Sequence, residues 1–421
     1  MSLDTSPVPK LSSQQRRCRL LLLLYTPPPT VKLETISQIN GVDLPTARQD
    51  IAEVNSEIQR FHHLAIAGSP EEGYQLTGST LNQRLCLIHW LRRALRCCPQ
   101  FVEETFSPRL HQALTLDGAQ AARLQLELER CVATLKQPIE ERIRLFLPPY
   151  LCYCLWEIRR QRHPSFTDAQ RAWLHQKPEQ QAAARLYPLL LALSGRPSHA
   201  DEQDFLVLMF TLLKNHSYES DHSDEDLRLM AAIERMVERF QQLSGMNFSS
   251  RADLITHLFA HLAPAVERCH FAIGIDNMLL EEVVRKYPRL MRTTQQALEP
   301  FEQEYGIAFS REEAGLVAIS FGAWLMQGNA LQEKQVLLLT LDNPQLEEEL
   351  EYQLRELTLL PLNIKYQPLR DFLRSGAPQD VTLVITPYAT PMQATQPPLI
   401  YTELPLARGQ RKTLRALLET P

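Results

Sequence analysis

TVKLETISQINGVDLPTARQDIAEVNSEIQRF, residues 30–61, decides how the amino-terminal part of this chain folds. Thr30 to Asn40 predicts a short helix, stopped by Gly41. Leu44-Pro45-Thr46 opens a longer helix running to about Phe61, with the proline in the first turn, where its missing N–H leaves nothing unpaired. Along it Ala47, Ile51, Val54 and Ile58 recur on one face at helical spacing. Upstream, residues 13–25 predict another helix, ended by Pro27-Pro28-Pro29. Downstream, Leu64 to Ala67 and Tyr74 to Thr77 flank Gly68-Ser-Pro-Glu-Glu-Gly73, a hairpin signal. Three helices, with a tight turn between the second and third, followed by a hairpin is the order of a winged helix-turn-helix. That unit is expected over residues 1–78.

The whole chain is mainly α. Its 421 residues are too many for one ordinary core and suggest about three domains. Hydrophobic residues make up 44% and charged residues 22%, which excludes a largely disordered chain, a coiled-coil rod or a collagen-like fibre. The net charge of −5, from 44 basic and 49 acidic residues, gives no global pull toward nucleic acid or membrane. Eight cysteines form no C-x-x-C pair and lie mostly in apolar helical stretches, the usage of a reducing cytoplasm. Arg16-Arg17-Cys18-Arg19 followed by Leu20 to Tyr25 resembles the start of a secretory signal. The apolar run is too short and ends in prolines, and no other stretch reaches membrane-spanning length. A cytoplasmic protein is expected.

From about residue 80 to 331 the pattern is helical throughout, with a connector at 79–115. His216 to Glu225 (HSYESDHSDE) is polar and acidic and reads as an exposed joint. Around it a faint repeat appears, Glu202-x-x-x-Leu206-Val207 recurring as Glu312-x-x-x-Leu316-Val317, 110 residues on. Two tandem all-α modules follow, at 116–220 and 224–331, the first eroded. Residues 335–421 change character: a continuous apolar run at Val336–Thr340, a helix at Pro344–Leu357 and further strands at Leu362–Tyr366 and Val381–Ile385 predict a small α/β domain with a parallel sheet in β-α-β-β order.

Thr46, Arg48, Gln49 and Asp50 stand at the start of the third helix, where a recognition helix presents side chains to base edges. Arginine and glutamine pair bidentately with guanine and adenine; the competing reading is the solvated first turn of any small domain. Residues 1–78 carry seven basic and eight acidic residues, and Arg84, Arg92, Arg93 and Arg96 add a basic stripe afterward. His257 and His261, one turn apart, with Cys269-His270 following, have spacing that can hold zinc, yet no catalytic glutamate or second ligand cluster accompanies them. His216, His222 and Asp224 in the joint read better as a solvated run than as a cation site. No G-x-S-x-G, Walker lysine or G-x-G-x-x-G occurs, and Glu347, Glu348, Glu349 and Glu351 read as the wet face of a helix. No enzyme activity, cofactor or metal is expected.

In the second module the chain reads His261-Leu262-x-x-x-Val266-x-Arg268, then Asn277, Lys286-Tyr287-Pro288, Gly306-x-x-Phe309-x-x-Glu312 and Leu316-Val-Ala-Ile-Ser-Phe-Gly-Ala. This resembles the PTS regulation domain (PRD), a helical bundle duplicated in transcriptional activators and antiterminators controlled by the sugar phosphotransferase system. Gly73-Tyr74-Gln-Leu-Thr-Gly78 likewise resembles the end of the winged helix-turn-helix in the multidomain activators, which continue into two regulation domains and an enzyme IIB-like α/β domain. The resemblance implies DNA as partner through Thr46, Arg48 and Gln49, homodimerisation through the bundles, and phosphorylation by the histidine phosphocarrier protein or another phosphotransferase component. Each regulation domain of the family offers two histidines. Here His261 fills one such position; the others fall on Ser320, near Tyr150, and on Phe210. The IIB-like phosphocysteine position falls within Thr340-Leu-Asp-Asn-Pro344, which has neither cysteine nor glycine. The competing expectation is an adaptor that no longer reads DNA and docks on phosphotransferase components or another regulator.

Overall fold

The computed structural model describes residues 10–135, 141–214, 216, 222–327, 333–390 and 397–419. Half of the expected joint, residue 217 to residue 221, lies outside them, as do the outer ends of the segments drawn at 1–78, 224–331 and 335–421. The chain divides into two compact units, Met1–His216 with His270–Gly274, and Ser217–Cys269 with Ile275–Pro421.

The first unit opens with α1 (Ser13–Leu24), whose start is fixed by a capping box between Ser12 and Gln15. Next come α2 (Leu33–Asn40) and α3 (Leu44–His62). Gly41 between them sits at φ 63°, a left-handed conformation that ends α2 without a Cβ penalty. Asp43 caps α3 by accepting the Thr46 N–H, and Ala47, Ile51, Val54 and Ile58 are buried as their spacing predicts. The hairpin forms as β1 (Ala65–Ser69) and β2 (Gly73–Thr77), antiparallel, with Gly68 opposite Tyr74. A Cβ on Gly68 would lie 2.0 Å from the Gly73 carbonyl oxygen, so the turn requires glycine there.

One expectation changes. The helix predicted from Thr30 begins only at Leu33, because Val31 is drawn into an antiparallel bridge with Tyr74, exchanging both backbone hydrogen bonds (2.9 and 2.8 Å).

The unit continues through α4 (Thr80–Cys97), the single turn α5 (Pro99–Phe101), a π-helical turn (Val102–Phe106) and α6 (Ser107–Leu114). Then follow α7 (Gly118–Thr134), α8 (Glu141–Arg159), α9 (Asp168–His175), α10 (Gln180–Ser194) and α11 (Ala200–Leu213). A single apolar core runs from Cys18 and the leucines of α1 through Trp90 and Phe106 to Phe205 and Leu213. The amino-terminal helices and the later ones are thus one hydrophobic body.

The second unit holds α12 (Asp224–Ser244), α13 (Arg251–His270, its last residue counted with the first unit), α14 (Leu280–Lys286), α15 (Pro288–Tyr305) and α16 (Arg311–Gln327). Phe240, Phe248 and Phe321 stack in its interior, with centroids 4.1 to 5.7 Å apart. After it come β3 (Lys334–Thr340), α17 (Pro344–Leu357), β4 (Leu362–Pro368), α18 (Leu369–Ser375), β5 (Leu383–Thr386), β6 (Leu399–Tyr401) and α19 (Arg408–Glu419). The strands order as β4-β3-β5-β6, all parallel. Leucines of α17 and α19 pack on one sheet face and Phe372 of α18 on the other. The predicted β-α-β-β order is corrected here: β4 and β5 flank β3 in parallel, which needs a crossover between them, and α18 supplies it.

Candidate nucleic-acid interface and regulatory histidines

The amino-terminal helices sort the four polar residues at the start of α3 into two sets. Arg48 and Gln49 are exposed and Thr46 is partly exposed. Asp50 is buried, and its carboxylate accepts from Arg16 at 2.7 and 3.2 Å, with Arg17 at 3.6 Å. It fixes α3 against α1 and faces no ligand. One and two turns further along the outer face lie Ala52 and Ser56, both exposed and small, which lets a surface approach the helix closely. At the hairpin tip Glu71 and Glu72 are exposed, and Ser69 Oγ accepts the Glu72 N–H at 3.2 Å.

The expected basic stripe on α4 does not form as one surface. Arg84 is fully buried and bidentate to Glu202, at 2.7 and 2.9 Å. Arg93 pairs with Glu57 at 2.6 Å and lies over the Trp90 ring. Arg92 and Arg96 remain exposed. The cause is the partner each meets: Glu202 draws Arg84 inward, and Arg93, on the opposite side of the rod from Arg84, meets Glu57.

In the second unit α13 presents His257 and His261 on one face toward α16. The His257 Nε2 atom lies 3.1 Å from Ser320 Oγ, and the ring packs on Trp324 with centroids 4.8 Å apart. Ser320 Oγ donates to the Leu316 carbonyl at 3.1 Å, so the His257 Nε2 atom is the donor of the pair. Glu313, in the first turn of α16, accepts from Arg268 at 2.6 and 3.1 Å. His261 Nε2 is buried 3.8 Å from the same carboxylate, beyond hydrogen-bond length, and has no hydrogen-bond partner among the described residues. Burial lowers the His261 pKa below its ordinary value, Glu313 opposing that shift, so the ring is neutral near pH 7. Asn277 binds the Glu312 carbonyl at 3.2 Å, an approach open only because Gly315 has no side chain: a Cβ there would sit 2.8 Å from the Asn277 amide nitrogen. This accounts for the asparagine of the motif, with a glycine opposite it just before Leu316.

His257 and His261 are not joined by Cys269 or His270: the His270 ring stacks on Trp173, 3.9 Å between centroids. Among the described residues no group of three or more His, Cys, Asp or Glu side chains is arranged to hold a metal ion. Nor is any helix among them long and apolar enough to cross a membrane.

In the α/β domain the loop after β3 is closed by the protein's own carboxylate. Buried Glu347 accepts the Leu341 N–H at 2.9 Å and the Tyr388 hydroxyl at 2.8 Å, and burial together with that carboxylate pushes the Tyr388 pKa up to about 12. The reading of Glu347 as part of a wet helix face is thereby corrected. Sequence could not find this contact, because Tyr388 lies 41 residues away.

Two family models match the chain. One, described as the PRD domain, covers residues 234–324, and the other, the C-terminal domain of stationary phase-inducible protein CsiE, covers residues 334–418. The stationary phase-inducible protein CsiE of Escherichia coli (strain K12) is 42% identical over 420 residues, covering 99% of either chain. The transcriptional regulator ManR of Bacillus subtilis (strain 168) is 22% identical over 419 residues, covering 97% of this chain and 62% of its own length. At that identity and coverage, the chain belongs to the CsiE family, with a PRD domain in its second helical module.

Proposed function

We propose that this chain is a non-enzymatic transcriptional regulator that reads duplex DNA through Arg48 and Gln49, with Thr46 beside them, on the exposed face of α3. The observation that carries the proposal is the sorting at the start of α3: Asp50 is tied inward by Arg16 while Arg48 and Gln49 stay free at the surface. The family relation to a PRD protein, and the likeness to a protein named as a transcriptional regulator, support the same reading. In this reading residues 1–78 form a winged helix-turn-helix, 79–115 a connector, 116–220 and 224–331 two regulation bundles that pair two copies of the chain, and 335–421 an enzyme IIB-like domain without phosphoryl chemistry. It acts in the cytoplasm. The exposed Glu71 and Glu72 repel phosphate at the hairpin tip, so α3 carries most of the contact.

A DNA reader that neutralises several phosphates loses affinity steeply with salt, the slope of log affinity being about −0.9 per phosphate. Binding to duplex fragments at rising salt tests this: the wild type should show that slope, and Arg48→Ala with Gln49→Ala should lose about 1–3 kcal/mol per base contact. Folded protein with no duplex binding would overturn the proposal in favour of the adaptor reading, which the acidic hairpin tip supports.

Control by phosphorylation would rest on His261, with the histidine phosphocarrier protein as donor. The neutral ring is a competent nucleophile, but its Nε2 lies against Glu313, so a phosphoryl group added there must drive that carboxylate away. Transfer of label from the carrier should be lost in His261→Ala; equal incorporation in both proteins would remove this part of the proposal.

A further inference from the structure

The last helix sets its charged and apolar residues on separate faces. In α19 the cations Arg408, Arg411, Lys412 and Arg415 recur at i, i+3, i+4 and i+7, the spacing of one helix face. Leu414 and Leu418 are buried against the sheet. Arg408, Arg411 and Lys412 are exposed and Arg415 is partly exposed. Four cations thus stand against one carboxylate, Glu419 at the far end of the helix, in a chain whose net charge is −5.

Little of this charge is neutralised inside the protein. Arg415 pairs with Glu419 at 3.1 Å, and Arg411 donates through Nε to the Leu406 carbonyl at 3.1 Å, which leaves its terminal nitrogens outward. Arg408 and Lys412 have no ion-pair partner among the described residues.

The rest of the face selects the kind of surface it fits. No large apolar side chain is exposed on α19, and the residues beside the cations are the small Gly409, Thr413 and Ala416. A protein partner needs apolar or aromatic anchors at the centre of its contact. A helix lying on a membrane needs an apolar face to insert, and here Leu414 and Leu418 are held by the sheet. A phosphate backbone needs neither, only cations that displace its counterions. Nothing lies within 4 Å of where a Cβ on Gly409 would stand, so a strand can come close. From Arg408 to Arg415 the helix rises about 10 Å, the length over which one strand of a duplex passes about three phosphates. On α17, which packs on the same sheet face, the exposed Glu348 and Glu349 repel phosphate and confine the contact to α19.

We propose that α19 is a contact surface for the phosphate backbone of duplex DNA, held through Arg408, Arg411, Lys412 and Arg415 without regard to sequence. The proposal stands apart from base reading by α3.

The full-length wild type and a variant carrying Arg408→Gln and Lys412→Gln, both shown to be folded by circular dichroism, are titrated with a random-sequence duplex as salt rises from about 50 to about 200 mM. Loss of two phosphate contacts should flatten the slope of log affinity against log salt by about 1.8, so the wild type loses about twelvefold more affinity over that range. Exchanging the two cations, Arg408→Lys with Lys412→Arg, should keep the wild-type slope. In a background of Arg48→Ala with Gln49→Ala the glutamine changes should flatten the slope by the same amount, so a failure of base reading at α3 leaves this result in place. Equal slopes in the wild type and the glutamine variant, or no binding of the random duplex by folded wild type, would overturn the proposal. So would polyglutamate bound more tightly than duplex through the same two residues, which would mark an acidic protein as the partner.

Discussion

Each of the two helical modules builds the same small constellation, and uses it differently. Glu202 is the third residue of α11 and Glu313 the third of α16, and each carboxylate stands between an arginine and a histidine. In the first module the arginine is Arg84, brought from α4, and it has no exposed surface. In the second it is Arg268, from the neighbouring α13, and it keeps 18% of its surface. The shared glutamates set the repeat at 111 residues (202 to 313), one more than the sequence pattern selects. At that spacing His257, His261 and Ser320 correspond to Phe146, Tyr150 and Met209, all without exposed surface. Phe146 stacks on Tyr150 with centroids 4.9 Å apart, and the Tyr150 hydroxyl donates to the Arg84 carbonyl at 2.7 Å. In the first module these positions are core, and the glutamate is a rivet for α4. In the second they line a polar cleft, a place where an added charge could act.

The largest effect that would test this contrast is at Arg84. Arg84→Met leaves Glu202 buried without its bidentate partner and should cost about 3–5 kcal/mol by urea unfolding, part of it restored when Glu202→Gln is added. Glu313→Gln, in the more open second module, should cost about 1–3 kcal/mol. Equal losses at the two sites would break the contrast. Tyr150→Phe removes one hydroxyl bond to a buried carbonyl and should cost about 1 kcal/mol.

The smallest effect is a pH dependence. His261 is harder to protonate in the folded chain than at its ordinary value of 6.5, so its contribution to stability is fully present above that pH and is lost as pH falls through the folded value. Unfolding midpoints between about pH 7 and about pH 5.5 should fall less in His261→Tyr, which carries the residue of the first module. An unchanged pH dependence would show that the second cleft is as inert as the first.

Periodic features were readable before the structure and long-range ones were not. Ala47, Ile51, Val54 and Ile58 announce a buried helix face by their spacing alone, and they are buried. The turn stretch from Gly68 to Gly73 that marks the hairpin is equally local. Val31 is different: a single bridging residue has no period, and the helical pattern from Thr30 absorbed it. Arg84 looked like one of four basic residues in a row because its partner is 118 residues away. Separation along the chain likewise hid the Glu347–Tyr388 contact that fills the loop after β3, its partners 41 residues apart. At the start of α3 the residue types were legible, but only the ion pair with Arg16 separates Asp50 from its neighbours.

The central claim is that this chain reads DNA through α3. The most direct measurement is selection of bound fragments from genomic DNA by the purified full-length protein, beside a variant altered at both Arg48 and Gln49. Discrete sites enriched by the wild type and lost in the folded variant are the predicted result. No enrichment by folded wild-type protein, or the same sites from both proteins, would contradict it.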